Sequence, residues 1–360
     1  VSRIVLFAEV PGFYAAVERG EGPAGDRRPV IVGGDPRRRG LVQAATPDAL
    51  AAGVRTGMPV LEALRLCPDA RAVRTDLARY REVSRRLFAC LRGGFDRLEP
   101  FGLGAAYLDV TGASERPEAI AARLVDAVRE ELGLPLRIGI ASGKFLARLA
   151  AEESSQAPSG GGLRRVAAGD EAAFLNPLPA SRLEGVGEKT AATLAELGAT
   201  TIGEVAALGR QRLEEALGTH GLWIFARASG ADDAPVRAAR HPQSLSREAT
   251  VRGASRDLAA LGERLWDLAR HLEAELGVQK LAAGKVSLKI RFADHASATT
   301  RSRTLASPVA DAAEIQGVAA DLLDRTQAGS RPVRGIGIQL TRLGPVDETG
   351  RQLDLFSPRR

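Results

Sequence analysis

The chain opens on a short apolar run, Ile4 to Ala8, continuous enough for a buried strand, and helix-like spacing follows from Phe13 to Arg19 after the Pro11-Gly12 interruption. A strand-to-helix corner is expected there. Pro29 to Gly33 gives a second short strand, and Asp48 to Leu66 reads as helical stretches broken at Gly53 and at Gly57-Met58-Pro59. Next come an amphipathic helix (Leu77 to Leu91), a strand (Ala106 to Val110), a helix (Pro117 to Leu132) and a strand (Leu136 to Ala141) that runs into a helix from Lys144 to Glu152. Strands and helices mixed in this order predict an α+β sheet layer.

The Ser/Gly-rich stretch Ser154 to Gly162 closes that unit, and Leu175 to Ser229 reads as short helices separated by glycines, a small helical module. Ala231 to Pro242 has no apolar periodicity and is expected to be a linker. Beyond it the pattern predicts a strand (Ser244 to Val251), a helix (Arg256 to Leu276), strands Lys285 to Phe292 and Thr299 to Ala306, a helix (Asp311 to Thr326) and a last strand, Val333 to Leu343. These make a second α+β domain. The tail from Gly344 to Arg360 is polar except for Leu353, Leu355 and Phe356, which a solvated tail has no folding reason to expose together.

Composition narrows the partners. A chain of 360 residues allows about two to four modules. Fifty Lys+Arg against 44 Asp+Glu give a formal charge of +6 and pI ≈ 9.8, favouring a polyanionic partner such as nucleic acid. Cys67 and Cys90 match no metal spacing, and two cysteines are few for a secreted chain, so a cytoplasmic setting is expected. The start, Val1 to Glu9, has no basic leader, and no apolar stretch approaches the ~20 residues that span a bilayer. No membrane partner is expected.

Several short segments are more specific. Phe13-Tyr14-Ala15-Ala16-Val17-Glu18 follows the first strand; Gly53-Val54-Arg55-Thr56-Gly57-Met58-Pro59 precedes Cys67-Pro68; Leu98-Glu99-Pro100 precedes Ala106-Tyr107-Leu108-Asp109-Val110-Thr111. Gly139-Ile140-Ala141-Ser142-Gly143-Lys144 and Leu183-Glu184-Gly185-Val186-Gly187-Glu188-Lys189 come next. In these residues and their order the chain resembles the Y-family (translesion) DNA polymerases, particularly the DNA polymerase IV (DinB) branch. The resemblance implies a multidomain α+β fold, a right-hand polymerase. Its palm, a ferredoxin-like sheet plus helices, would be residues 1–20 and 77–165, and its small fingers 21–76. A helical thumb with a helix-hairpin-helix would follow at 166–230, a linker at 231–241, an α+β little finger at 242–344 and a clamp-binding tail at 345–360.

Nucleotidyl transfer in such enzymes uses two divalent ions held by clustered carboxylates. The family's three ligand positions correspond to Glu9, Gly104 and Ala105, which leaves Glu9, a methylene longer than the family's aspartate, as a weak metal ligand. The triphosphate side changes in the same direction. Pro47-Asp48-Ala49-Leu50 replaces a Y-E-A-R stretch, Ala157 stands at the lysine of K-P-N-G, and Arg148 at a usual lysine. No catalytic residue is therefore assigned. Glu99 and Asp109 are either substitute ligands or ordinary solvated and strand-capping carboxylates. Tyr14 matches the family's steric gate and equally reads as a core aromatic at a strand-to-helix corner. Tyr80, Arg81 and Ser84 match a Y-R-x-x-S pattern and read as remnants of a nucleotide pocket or as a plain surface helix; Lys144, in the stretch similar to the family's G-I-A-S-N-K turn, is counted with the pocket remnants.

Binding features are better preserved. The Gly185-Val186-Gly187 hairpin with Lys189 suits a DNA phosphate at a helix N-terminus, a tight interhelical turn being the alternative. Lys285, Lys289 and Arg291 alternate along one strand and so share a face, while Thr299-Thr300-Arg301-Ser302-Arg303 resembles the little-finger strand that follows a template backbone, or is a solvated edge. Gln352-Leu353-Asp354-Leu355-Phe356 resembles the pentapeptide by which bacterial polymerases bind the sliding clamp, with apolar anchors for a pocket.

The leading expectation is a clamp-tethered pseudo-polymerase in DNA repair, translesion synthesis and the SOS response, similar to the ImuB-type mutasome accessory factor. Primer-template DNA, the sliding clamp, an active error-prone polymerase and a RecA-like accessory protein would be its partners, in the nucleoid. The rival is a slow translesion polymerase with a rearranged metal site and Mg²⁺ as cofactor. A general DNA-binding module is the third reading.

Overall fold

The computed structural model describes residues 3–20, 28–95, 97–154, 162–237, 242–294 and 298–345. The chain divides into two compact units, Val1–Ala239 and Arg240–Arg360.

The first unit begins with β1 (Val5–Glu9), α1 (Phe13–Gly20), β2 (Val30–Gly33), β3 (Val42–Ala45), α2 (Pro47–Ala51), α3 (Val60–Leu66), β4 (Arg71–Arg74) and α4 (Leu77–Arg92). It continues through β5 (Leu98–Phe101), β6 (Ala105–Asp109), α5 (Pro117–Leu132), β7 (Arg137–Ala141), α6 (Lys144–Glu153) and β8 (Gly162–Arg165), then α7 (Glu171–Leu175), α8 (Glu188–Glu196), α9 (Ile202–Leu217) and α10 (Thr219–Ala228). A five-stranded sheet has the order β5-β6-β1-β7-β8, so β1 is central and pairs antiparallel with β6 and β7. Strand alternation splits the core in two. Leu6 and Ala8 share a cluster with Tyr80, Leu87, Ile120 and Leu124 of α4 and α5. Val5 and Phe7 instead share one with Phe145 and Leu149 of α6 and with the helical module.

The local signals explain where these helices stop. Asp76 caps α4 by accepting from the Arg79 N–H, and Gly93 ends it in the left-handed region; α5 starts at Pro117 and ends at Gly133, also left-handed. Thr201 and Glu204 form a reciprocal capping box on α9. Four strands go beyond the sequence expectation: β3, β4, β5 and β8, each of four residues. β3 and β4 flank β2 in a separate three-stranded sheet whose small core includes Ile31, Val42, Val60 and Ala63.

Ala231–Arg237, expected as the start of a linker, is instead packed. Val236 is buried, and the Asp232 carboxylate accepts from the Phe145 N–H at 2.6 Å and pairs with Arg227 at 2.8 Å. The Arg3 guanidinium donates to the carbonyls of Ser142, Asp232 and Ala234, tying the same segment to the chain start.

The second unit comprises β9 (Ser244–Ser255), α11 (Leu258–Gln279), β10 (Leu281–Phe292), β11 (Ala298–Val309), α12 (Ala312–Asp324) and β12 (Val333–Pro345). Its antiparallel sheet has the order β11-β10-β12-β9. Val286, Leu288 and Ile290 point to the core with Leu265, Leu272 and Ile315 of the two helices. The other face carries polar side chains.

Candidate active site and nucleic-acid interface

Glu9 ends β1 at the centre of the five-stranded sheet. Its register partners are Ala105 on β6 and Arg137 on β7, so three residues lie abreast across the strands. The Glu9 carboxylate accepts from Arg137 Nε at 2.9 Å and Nη2 at 2.6 Å, both side chains being mostly buried. One oxygen, Oε2, takes both bonds. Ala105 is buried and offers only a methyl group. Gly104 has no side chain, and a Cβ there would lie 2.5 Å from Phe13 Cβ and 2.7 Å from Phe13 Cγ. The α1 corner has closed onto the glycine.

The remaining acids near this face are committed. Glu99 binds Lys144 Nζ at 2.8 and 2.9 Å and accepts from the Arg237 N–H at 2.8 Å. Asp109 accepts from the Thr111 N–H and from Arg97; burial alone would raise its carboxyl, but those partners hold it below the usual range. Glu99 and Asp109 thus act as structural carboxylates. Beside them Phe7, Phe101 and Tyr107 form an edge-packed aromatic cluster, with Lys144 over the Tyr107 ring at 5.0 Å. Among the described residues no group of three His, Cys, Asp or Glu side chains is placed to hold a metal ion. Two Mg²⁺ ions need several free hard oxygens, and this arrangement does not fit them.

The expected pocket remnants separate. Tyr80 is fully buried and donates its hydroxyl to buried Glu18 at 2.9 Å, while Tyr14 stacks on it at 4.4 Å between centroids. Ser84 is buried on the same helix and Arg81 is exposed, so the three do not share a pocket. Tyr80 and Ser84 are core, which corrects their reading as nucleotide contacts. Asp48 pairs with Arg19, and Arg148 is held by Glu152 at 3.2 Å and Glu184 at 3.0 Å. A cavity of about 720 Å³ between α1, the start of α2 and the α5–β7 turn is lined in part by Pro11 and Arg19, but by none of Glu9, Gly104 and Ala105. Ala157 and the Gln352–Phe356 motif lie outside the described residues.

The segment before α8 is a tight glycine turn. Gly185 has φ +75°, with His220 and Trp223 of α10 close to where a Cβ would stand, and Gly187 caps α8 from open space. Val186 is buried and anchors the turn, whereas Lys189 is exposed.

In the second unit, register places Lys285, Lys289 and Arg291 on the open sheet face beside Thr304, Thr300 and Ala298. Ser302 shares that face. Arg301 and Arg303 alternate to the helix side, where Arg303 binds Asp321 at 2.9 Å, so the run Thr299–Arg303 is divided between the two faces of the sheet. Glu248 also stands on the open face, 2.9 Å from Arg291 and 3.8 Å from Lys289 across a cleft of about 180 Å³. Neither Arg137 nor Glu248 was singled out by sequence reasoning.

Comparison with known proteins agrees with this architecture. The impB/mucB/samB family model matches residues 9–152, and the C-terminal domain model of the same family matches 242–355. The chain belongs to this family, that of the Y-family DNA polymerases. Within it the similarity is to DNA polymerase IV: that of Halorhodospira halophila is 37% identical over 359 residues, covering 99% of this chain and 98% of the relative. The DNA polymerase IV of Alkalilimnicola ehrlichii is 34% identical, covering 98% and 99%. Among solved structures, a Y-family DNA polymerase chimera, Dbh-Dpo4(243-245)-Dbh, superposes with a TM-score of 0.82 at 25% identity, covering 94% of this chain and 98% of that one. An insertion ternary complex of Dbh DNA polymerase gives 0.70 at 24%, with the same coverage. The fold is the mixed α+β, multidomain one of that group, with palm and little-finger-like domains. No described helix is long and apolar enough to cross a membrane.

Proposed function

We propose that this chain is a non-catalytic, DNA-binding member of the Y-family that acts as a clamp-tethered accessory factor in translesion synthesis. The observation that carries the reading is the state of the palm centre. Of the three positions Glu9, Gly104 and Ala105, Glu9 alone carries a carboxylate, and Arg137 binds it. Ordered binding elements support the other half: an exposed Lys189 behind a glycine hairpin, and a sheet face bearing Lys285, Lys289 and Arg291 among hydroxyls. Residues 1–20 and 77–165 serve as the palm, 21–76 as fingers, 166–230 as thumb and 242–344 as little finger. The motif Gln352–Phe356 supplies the clamp contact, and an active error-prone polymerase and a RecA-like protein complete the assembly in the nucleoid.

Single-turnover primer extension at saturating primer-template, in Mg²⁺ and then Mn²⁺, tests the reading, with fluorescence anisotropy on the same DNA. Binding without extension is the expected result. Extension by the native chain sinks it in favour of a slow polymerase that uses Mg²⁺; the relatives are named DNA polymerase IV. For the tether, Leu355→Ala/Phe356→Ala is expected to abolish binding to immobilised clamp while leaving DNA affinity unchanged; retained clamp binding removes the tether from the proposal.

A further inference from the structure

We propose that Arg137 is the resident cation of the palm, excluding divalent ions from it even where acidic ligands are present. This rests on the non-catalytic reading and adds the residue that maintains it. Loss of carboxylates alone would leave Glu9 as an unpaired acid at the end of a central strand. The register across β1 and β7 instead sets Arg137 directly beside it. Two donors converge on Glu9 Oε2, at 2.6 and 2.9 Å, with side-chain exposures of 15% for Arg137 and 27% for Glu9. A divalent ion bound to that oxygen at about 2.1 Å would stand within roughly 5 Å of the guanidinium, two like-signed centres in a mostly dry site. Arg137 remains charged at any working pH and cannot step aside by losing its proton. Lys144, on the same sheet face, sits over Tyr107 and adds a second positive charge, already committed to Glu99.

The consequence concerns the obvious repair. Restoring the acids as Glu9→Asp/Gly104→Asp/Ala105→Glu leaves Arg137 in place, free to pair with whichever carboxylate stands nearest. The repaired site is then a salt bridge before it is a metal site.

Mn²⁺ binding to the whole chain, followed by electron paramagnetic resonance and by calorimetry, decides the matter without reference to turnover. The triple variant is expected to bind Mn²⁺ at least about 30-fold more weakly than the same variant carrying Arg137→Ser as well. Equal affinities in these two proteins overturn the role of Arg137 and leave the non-catalytic reading intact, whereas primer extension by the native chain overturns that reading. Should the fourfold variant fail to fold by circular dichroism, Arg137→Gln in the native background takes its place. A folded Arg137→Gln protein is expected to gain Mn²⁺ affinity over the native chain, and one with no gain overturns the proposal.

Discussion

Glu248 reaches from β9 over the neighbouring strand to Arg291, two strands away, and closes an ion pair of 2.9 Å. Gly335 and Gly337 make this possible: a Cβ at 337 would lie 2.5 Å from Glu248 Cγ, and one at 335 would lie 2.9 Å from Arg291 Nε. The cationic face of the second unit therefore carries its own anion. A phosphate approaching Arg291 must displace it.

Glu248→Gln is accordingly expected to tighten DNA binding and to steepen the dependence of log K on log[salt] by roughly 1, the slope associated with one more phosphate contact. Anisotropy titrations between low and moderate salt measure both. An unchanged slope would mean that Arg291 does not meet the backbone.

Lys189→Ala, at the exposed start of α8, is expected to act in the opposite sense. Affinity falls across all sequences and the salt slope decreases by about 1, with thermal stability unchanged. The same titrations read this out.

Asp232→Ala removes the acceptor of the Phe145 N–H and leaves Arg227 without its closest partner. Because the Asp232 side chain is almost wholly buried, the loss of stability is expected to be about 3 kcal/mol or more. Urea denaturation measures it, and Asp232→Asn, which keeps an acceptor, is expected to lose less.

Cys90 is half-buried with its thiol donating to Glu131 at 3.1 Å. Burial, then the bond to Glu131 and its charge, push the thiol up to about 11. A raised value means the thiol form persists through neutral pH, so alkylation at pH 8 is expected to be slow and to accelerate only near pH 11. Glu131→Gln is expected to bring that acceleration to lower pH, as read by mass spectrometry of the modified chain.

The elements that could be read in advance are those whose own side chains decide them. α4 and α5 carry full apolar stripes and explicit stops at Gly93 and Gly133, so the one-dimensional pattern sufficed. β4, Arg-Ala-Val-Arg, and β8, Gly-Leu-Arg-Arg, exist because β2 and β7 offer parallel partners, and nothing within four such residues signals that. Glu9, Gly104 and Ala105 could be singled out because the residues flanking them resemble the family's motifs. Their new neighbours were not. Arg137 reads as an ordinary charge at a strand start until register sets it beside Glu9, and Glu248 as a solvated acid until two intervening glycines bring Arg291 to it. Ala231–Arg237 misled for a related reason: its order comes from capping α6 and binding Glu99, contacts with partners more than eighty residues distant.

Gly104 also limits what a substitution at this position can do. Any side chain at this position meets Phe13, so the first substitution toward an acid overpacks the α1 corner and lowers stability by about 1–3 kcal/mol. That substitution alone supplies one carboxylate of a set and earns no chemistry. An acid at position 104 therefore has to displace the Phe13 ring before its carboxylate can stand beside Glu9, and the cost falls on the α1 corner rather than on the sheet.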